Sequence, residues 1–277
     1  MSVSDAPARA PGRLGVLGWP VAHSRSPQMH RAAFAQLGLR GWSYQRLPAP
    51  PELFAEIVRA LGPAGFVGAN VTLPHKPAAL ALADSATPTA REIGAANTLS
   101  FLPDGTIAAE NTDAPGLMAA IGRDVDGAGA VVLGAGGTAR AAAWALREAG
   151  ASVSVWNRHA AGASALAAEL GVSAIERPRP AELLVNATTV GMDERRSLEE
   201  VLSTLALDSD VLGRYEQVVD FAYSRSPTAL LGAARALGVP ALVDGLDILA
   251  AQGGLSFELW TGRPAPLTVM RQAADVG

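Results

Sequence analysis

Ala130-Val131-Val132-Leu133-Gly134-Ala135-Gly136-Gly137-Thr138-Ala139-Arg140-Ala141 decides the fold. Its four leading apolar residues read as a buried strand, the glycines as a tight turn, and the residues after them as a helix start. Gly134, Gly136 and Ala139 satisfy G-x-G-x-x-A, in which small residues let the backbone and a helix N-terminus approach a pyrophosphate. Such a fingerprint is informative only between a strand and a helix, with a second strand about 20 residues on. Residues 152–157 supply that second strand.

The alternation extends in both directions. Downstream, the pattern predicts helices at 138–149, 160–170 and 227–237, and strands at 183–186, 218–221 and 241–243. Upstream it predicts strands at 14–18, 42–47, 66–71 and 107–111 and helices at 27–37, 51–61 and 77–83, the first capped by Ser26 with Pro27 at its first position. The last 30 or so residues are purely helical, at 245–260 and 267–274. Strands alternating with helices imply an α/β fold whose parallel sheets are covered on both faces. A Gly/Asp-rich stretch at 122–129 ends the linker 113–129, so two domains with a crevice between them are expected.

Composition excludes several classes. The chain has 277 residues, 49% of them hydrophobic, ample for packed cores. Its 22 basic and 26 acidic side chains give a net charge of −4 with no basic run, which argues against nucleic-acid binding. Every apolar stretch is broken by Gly, Pro or charge, so no membrane span is expected. Residues 1–12 read as a loose tail, not a secretory signal, and the expected location is the cytoplasm. Without cysteine there is no disulfide scaffold, thiolate nucleophile or Cys-ligated metal, and no metal site is expected.

Two residue types are scarce. Of the 22 basic residues only Lys76 is a lysine, and there are five asparagines, Asn70, Asn97, Asn111, Asn157 and Asn186. In the first half, Lys76 and three of these asparagines fall in polar segments at predicted strand ends or helix starts: His23-Ser24-Arg25-Ser26-Pro27, Asn70-Val-Thr72-Leu-Pro-His75-Lys76-Pro77, Ala96-Asn97-Thr98 and Asn111-Thr112-Asp113. Strand ends of α/β domains point polar groups into the ligand crevice. Ser24 and Ser26 can hydrogen-bond an anionic ligand, although Ser26 has an alternative role as a helix cap. A lysine retained among 21 arginines suits proton transfer, because arginine does not deprotonate; Asp113 is its candidate partner. Pro77 disfavours helix at Lys76 itself and suits the first helical position.

At the end of the second strand of the dinucleotide half, binders of NAD usually carry an acid for the ribose hydroxyl. Here Trp156-Asn157-Arg158 has none, and the Arg158 fork suits a 2′-phosphate, so NADP is expected over NAD.

In order and spacing, these segments resemble the shikimate dehydrogenase family. The likeness continues through Asn186-Ala-Thr188-x-x-Gly191-Met192, Tyr223, and Gln252 followed by Phe257-Glu-x-Trp260-Thr-Gly262, and so runs nearly the whole chain. It implies NADPH-dependent reduction of 3-dehydroshikimate to shikimate in aromatic amino-acid biosynthesis, with Lys76 and Asp113 as the catalytic pair. Ser24, Ser26, Thr72, Asn97, Asp113, Tyr223 and Gln252 would hold the substrate. The cofactor would lie along Gly134, Ala135, Gly136, Gly137 and Thr138, then Asn157, Arg158 and His159, and further along Thr188, Met192, Phe221 and Gly245. The implied division is a substrate-binding, catalytic domain at 13–116 plus 246–277, whose last part is formed by the returning C-terminal helices, and a Rossmann-like NADP-binding domain at 117–245.

The chain departs from the family pattern in places. His159 and Gly162 stand where a Thr and a further base are usual, which leaves room for NAD. Ser224-Arg225-Ser226-Pro227 replaces the usual residues after Tyr223, and charged Asp193 to Arg196 follow Met192. Gly253 and Gly254 would loosen the helix around Gln252 by about 1 kcal/mol each. Alternatives are a quinate or aminoshikimate dehydrogenase and a catalytically silent homologue; the paired serines favour shikimate and intact Lys76 and Asp113 favour catalysis. Monomer and homodimer are equally compatible with the sequence.

Overall fold

A computed structural model describes residues 10–224 and 227–276. Most of the tail expected at 1–12 lies outside these residues, as do Arg225 and Ser226 of the departing loop. The described chain divides into two compact units: one contains residues up to Thr112 together with those from Leu249 onward, and the other is Asp113–Ile248.

The second unit is built on the six later strands of the described chain. These strands are preceded in the chain by β1 (Arg13–Gly18), β2 (Ser43–Pro48), β3 (Phe66–Val71), β4 (Ser85–Ala86), β5 (Thr98–Phe101) and β6 (Ile107–Glu110) of the first unit. The later six are β7 (Gly129–Leu133), β8 (Ser152–Trp156), β9 (Ser173–Ala174), β10 (Leu183–Asn186), β11 (Gln217–Asp220) and β12 (Ala241–Val243). Their order in the sheet is β12-β11-β10-β7-β8-β9, and every pairing is parallel. The order reverses beside β7, which makes the glycine turn after that strand the topological switch point. Along β7 the side chains alternate, Ala130 and Val132 entering the core on one face and Val131 and Leu133 the core on the other. Burial on both faces explains why the strand reads as an unbroken apolar run.

The first unit's sheet, ordered β2-β1-β3-β5-β6-β4, corrects the expectation of wholly parallel sheets: β3–β5 and β5–β6 are antiparallel. The strand β5 is absent from the sequence-based prediction. Its link to β6 is a tight turn in which Gly105 adopts φ +87 and Asp104 accepts hydrogen bonds from the Thr106 N–H at 2.9 Å and hydroxyl at 2.7 Å. A connection that short cannot make a parallel crossover.

In the first unit two helix starts also differ by one residue from expectation. The first helix is Ser26–Gln36, with Arg25 at the N-cap and no side-chain cap, so Ser26 is not the capping residue. The helix after β3 is Lys76–Leu82, so Lys76 is its first residue and Pro77 the second.

The C-terminal helix Gly245–Thr261 packs its later turns in the first unit, where the Trp260 indole donates to the Leu99 carbonyl and the Ser100 hydroxyl, both at 3.2 Å. Gly253 and Gly254 do more than loosen this helix. A methyl group at Gly253 would run into Met29 and one at Gly254 into Leu267, so the glycines allow close packing. The last helix, Leu267–Asp275, lies against Ser26–Gln36, and buried Arg25 donates to the Ala274 carbonyl at 2.8 Å. Beneath it His30 is fully buried without a hydrogen-bond partner, stacked on Tyr44 with ring centroids 4.2 Å apart; burial pushes its pKa down to about 3, so it is neutral. No helix among the described residues is long and apolar enough to cross a membrane.

Candidate active site

In the first unit, the expected substrate residues gather at one end of the sheet. Ser24 and Ser26 follow β1, Thr72 and Lys76 follow β3, Asn97 precedes the antiparallel β5, and Thr112 follows β6. Backbone bonds brace these segments against one another: Val71 N–H to Asn97 O at 2.7 Å, Ala96 N–H to Lys76 O at 2.9 Å, and Asn97 N–H to Glu110 O at 3.1 Å. Lys76 is buried, so the chain's one ammonium-bearing side chain is largely withdrawn from water.

The two serines are also buried, and Ser24 Oγ donates to Ser26 Oγ at 3.3 Å. Ser24 Oγ also accepts from the Ser26 N–H at 3.4 Å, so the pair is held together at the start of the helix Ser26–Gln36. Arg46, on β2, holds their loop by donating twice to the Ser24 carbonyl, at 3.0 and 2.6 Å. Arg46 is a residue that sequence reasoning missed, because its partner is a backbone atom 22 positions away.

A buried polar network lies beneath the site. Asn97 Nδ2 donates to Thr112 Oγ1 at 3.0 Å and to Gln252 Oε1 at 3.1 Å, and its Oδ1 accepts from the Thr112 N–H at 2.7 Å. Asn70 accepts from the Tyr44 hydroxyl at 2.8 Å and donates to Ser256 Oγ at 2.9 Å. Ser256 Oγ in turn lies 2.9 Å from Thr98 Oγ1 and 3.2 Å from Thr112 Oγ1. Asn70, placed in a functional segment by its scarcity, is thus a strut joining β3 to the C-terminal helix. Full satisfaction of buried polar groups makes such a network rigid. Thr98 belongs to the segment Ala96-Asn97-Thr98 singled out in the sequence, whereas Tyr44 and Ser256 were not anticipated.

The second unit carries the other candidates. Asp113, buried, opens the helix Asp113–Ile121 directly after Thr112, and Tyr223 is half-buried three residues beyond β11. Gly134 has φ +117, a conformation that disfavours other residues, and a Cβ there would sit 3.2 Å from the Ala187 carbonyl. Gly136 caps the helix Gly137–Glu148 without a side chain, and the space where its Cβ would stand is open. A glycine-capped helix N-terminus at the end of a parallel strand fits a pyrophosphate. Asn157, Arg158 and His159 follow β8; the Asn157 amide closes their turn by donating to the His159 carbonyl at 3.0 Å, and Arg158 is exposed. Gly162, in the first turn of the helix Ala160–Leu170, lets this turn approach, since a Cβ there would lie 3.0 Å from Asn157 Nδ2.

Beyond β10, the Asn186 side chain folds Thr188 to Val190 into a turn. Its Oδ1 accepts from the Thr188 hydroxyl at 2.7 Å and N–H at 3.1 Å, and its Nδ2 donates to the Val190 carbonyl at 3.0 Å. Met192 ends that turn, Phe221 follows β11, and Gly245 opens the C-terminal helix. All these cofactor candidates stand at carboxyl ends of parallel strands, where open α/β sheets bind ligands.

Known proteins share both the sequence and this arrangement. A family model described as the shikimate dehydrogenase substrate binding domain matches residues 16–99, and one described as the shikimate 5′-dehydrogenase C-terminal domain matches 245–274. The shikimate dehydrogenase (NADP(+)) of Methylobacterium radiotolerans is 46% identical over 270 residues, which span 92% of each chain. The chain belongs to the shikimate dehydrogenase family. Within that family's fold, the crystal structure of shikimate 5-dehydrogenase from Thermus thermophilus in complex with NADP(H) and shikimate is similar with a TM-score of 0.83, at 43% identity, over 95% of this chain and 98% of that one. The 5-ketofructose reductase of Gluconobacter sp. strain CHM43, in its ligand-free form, is similar at 28% identity with a TM-score of 0.79, over 96% and 99% of the two chains. Shikimate dehydrogenases and a reductase of another ketone therefore share this architecture.

Proposed function

We propose that the chain is an NADP-dependent shikimate dehydrogenase, reversibly reducing 3-dehydroshikimate to shikimate. The observation that carries this reading is the convergence of its one lysine, buried at the start of the helix Lys76–Leu82, with the Ser24–Ser26 pair and the Asn97–Gln252 network at one end of the first sheet. The family membership and the cofactors named for its relatives support it.

In this reading Ser24 and Ser26, with Tyr223, hold the substrate carboxylate, and Thr72, Asn97, Asp113 and Gln252 take the ring hydroxyls. Several fixed hydrogen bonds suit a small polar ligand, because orientation supplies much of the rate. NADPH, when bound, supplies the hydride. Gly134 to Thr138 receive its pyrophosphate, and Arg158 takes the 2′-phosphate. As charge develops on the ring oxygen, the Lys76 ammonium stabilises it and donates the proton, while Asp113 keeps the ammonium oriented. In the oxidising direction Lys76 takes the proton back.

A substrate panel of shikimate, quinate and aminoshikimate with both cofactors tests the assignment, and the result expected is highest kcat/KM for shikimate with NADP+. Lys76→Ala should lower kcat at least about 100-fold while shikimate affinity changes little. Near-normal turnover by that variant, or equal use of NADH, would overturn the corresponding part of the reading.

A further inference from the structure

The mechanism above makes no use of the most deeply buried carboxylate in the second unit. Asp220, the last residue of β11, has no solvent exposure. Its Oδ1 accepts from Asn186 Nδ2 at 2.8 Å and from the Ala222 N–H at 3.0 Å, and its Oδ2 accepts from the Thr228 hydroxyl at 2.6 Å. Each donor belongs to a different segment: the last residue of β10, the backbone leading to Tyr223, and the cap of the helix Ala229–Ala236.

We propose that Asp220 is a positioning residue for the cofactor, its ionised carboxylate setting the shape of the Asn186–Met192 turn; this rests on the assignment of that turn to NADP in the reading above. The pattern of donors and acceptors supports it. Asn186 uses both amide hydrogens, on Asp220 and on the Val190 carbonyl, and its oxygen accepts twice from Thr188. An acceptor at Asp220 therefore fixes which way the Asn186 amide faces, and through it the turn. Thr228 Oγ1 also accepts from the Leu231 N–H at 3.3 Å, which ties the Asp220 contact to the start of that helix. All three partners donate, and an ionised carboxylate accepts from all of them at once. A protonated Asp220 has one acceptor position fewer, and offered as a donor to Asn186 it would turn the amide and set its N–H groups against the N–H of Thr188.

This carboxylate titrates in an accessible range. Burial, with the repulsion of the Asp244 carboxylate after β12 adding to it, outweighs the three hydrogen bonds and pushes its pKa up to about 7. Cofactor affinity should therefore fall as pH drops through neutrality, when the acceptor at the root of the turn is lost.

The test is equilibrium binding of NADP+ by calorimetry, to the parent chain and to Asp220→Asn, between about pH 6 and pH 8.5. At the upper end the variant should bind about tenfold more weakly, and at the lower end the two dissociation constants should converge. The titration of the cofactor's own 2′-phosphate is common to both chains and cancels in the ratio. Shikimate affinity, measured without cofactor, should be the same in both. Thr228→Val, which withdraws one donor, should move the pH at which parent-like binding weakens upward, while Thr228→Ser should keep the parent profile; this pair decides the matter if Asp220→Asn does not fold. A ratio that stays constant with pH, or a loss shared equally with shikimate, overturns the inference alone. If the parent binds no NADP+ at any pH, the functional reading fails and takes the inference with it.

Discussion

Ser256→Ala probes whether the buried network beneath the substrate residues acts as one scaffold. The Ser256 hydroxyl is fully buried and has four neighbours: it accepts from Asn70 Nδ2 at 2.9 Å, donates to the Gln252 carbonyl at 3.2 Å, and lies 2.9 and 3.2 Å from the hydroxyls of Thr98 and Thr112. Removing one oxygen leaves almost no cavity, so the cost is polar. Asn70 Nδ2 still reaches the Asn97 carbonyl and Thr98 Oγ1, both at 3.2 Å, and is not orphaned. Two or three bonds at about 1 kcal/mol each then give a loss of about 2–3 kcal/mol, below the cost of a broken buried ion pair. Urea denaturation at constant m-value measures it. Because Thr112 and Gln252 lean on the same hydroxyl, KM for shikimate should rise about three- to tenfold, while KM for NADPH, whose candidate residues lie in the other unit, stays unchanged. A stability change below about 0.5 kcal/mol together with an unaltered shikimate KM would refute the scaffold.

Three further outcomes are expected. Gly245→Ala would bring a Cβ within 2.6 Å of the Phe221 and Ala222 carbonyl oxygens, so it should lower stability by about 1–3 kcal/mol and weaken NADP+ binding, read by thermal melting and calorimetry. Arg158→Ala should raise KM for NADPH by about tenfold and leave that for NADH in place; equal losses would remove Arg158 from the 2′-phosphate. Asp220 has a raised folded-state pKa, so the stability it contributes is full below the unfolded carboxylate range and is lost as pH rises through about 7. Relative to Asp220→Asn, the parent should lose on the order of 4 kcal/mol between about pH 4 and pH 8, and parallel melting profiles would contradict this.

Much of the second unit was legible because local signals there coincide with global ones. The apolar run 130–133, the glycine turn and the helix start each point to a parallel strand at a switch point, and β7 occupies it. The first sheet was less legible, since Asp104-Gly105 makes a hairpin where alternation suggests a crossover. Lys76 could be found by scarcity. Asn70 was found by the same signal but turned out to brace the fold, because scarcity does not separate a ligand-binding amide from a structural one. Ser256 and Asp220 left no trace in sequence: Ser256 meets Asn70 across 186 positions, and Asp220 is indistinguishable from any surface acid until its burial is known.

The first unit is assembled from both ends of the chain, and this has a consequence for biosynthesis. As the ribosome releases the polypeptide from the N-terminus, Asn70, Thr98 and Thr112 emerge well before Gln252 and Ser256. Residues 113–248 are contiguous, so the unit begun second is made in full before the first unit receives its last helices. The earlier-made half waits with polar groups lacking their partners until the later helices arrive, Arg25 meeting the Ala274 carbonyl only after 249 further residues have been made. Truncation within about the last 30 residues should therefore leave nascent chains with a protease-resistant centre and a protease-sensitive front, the reverse of their order of synthesis.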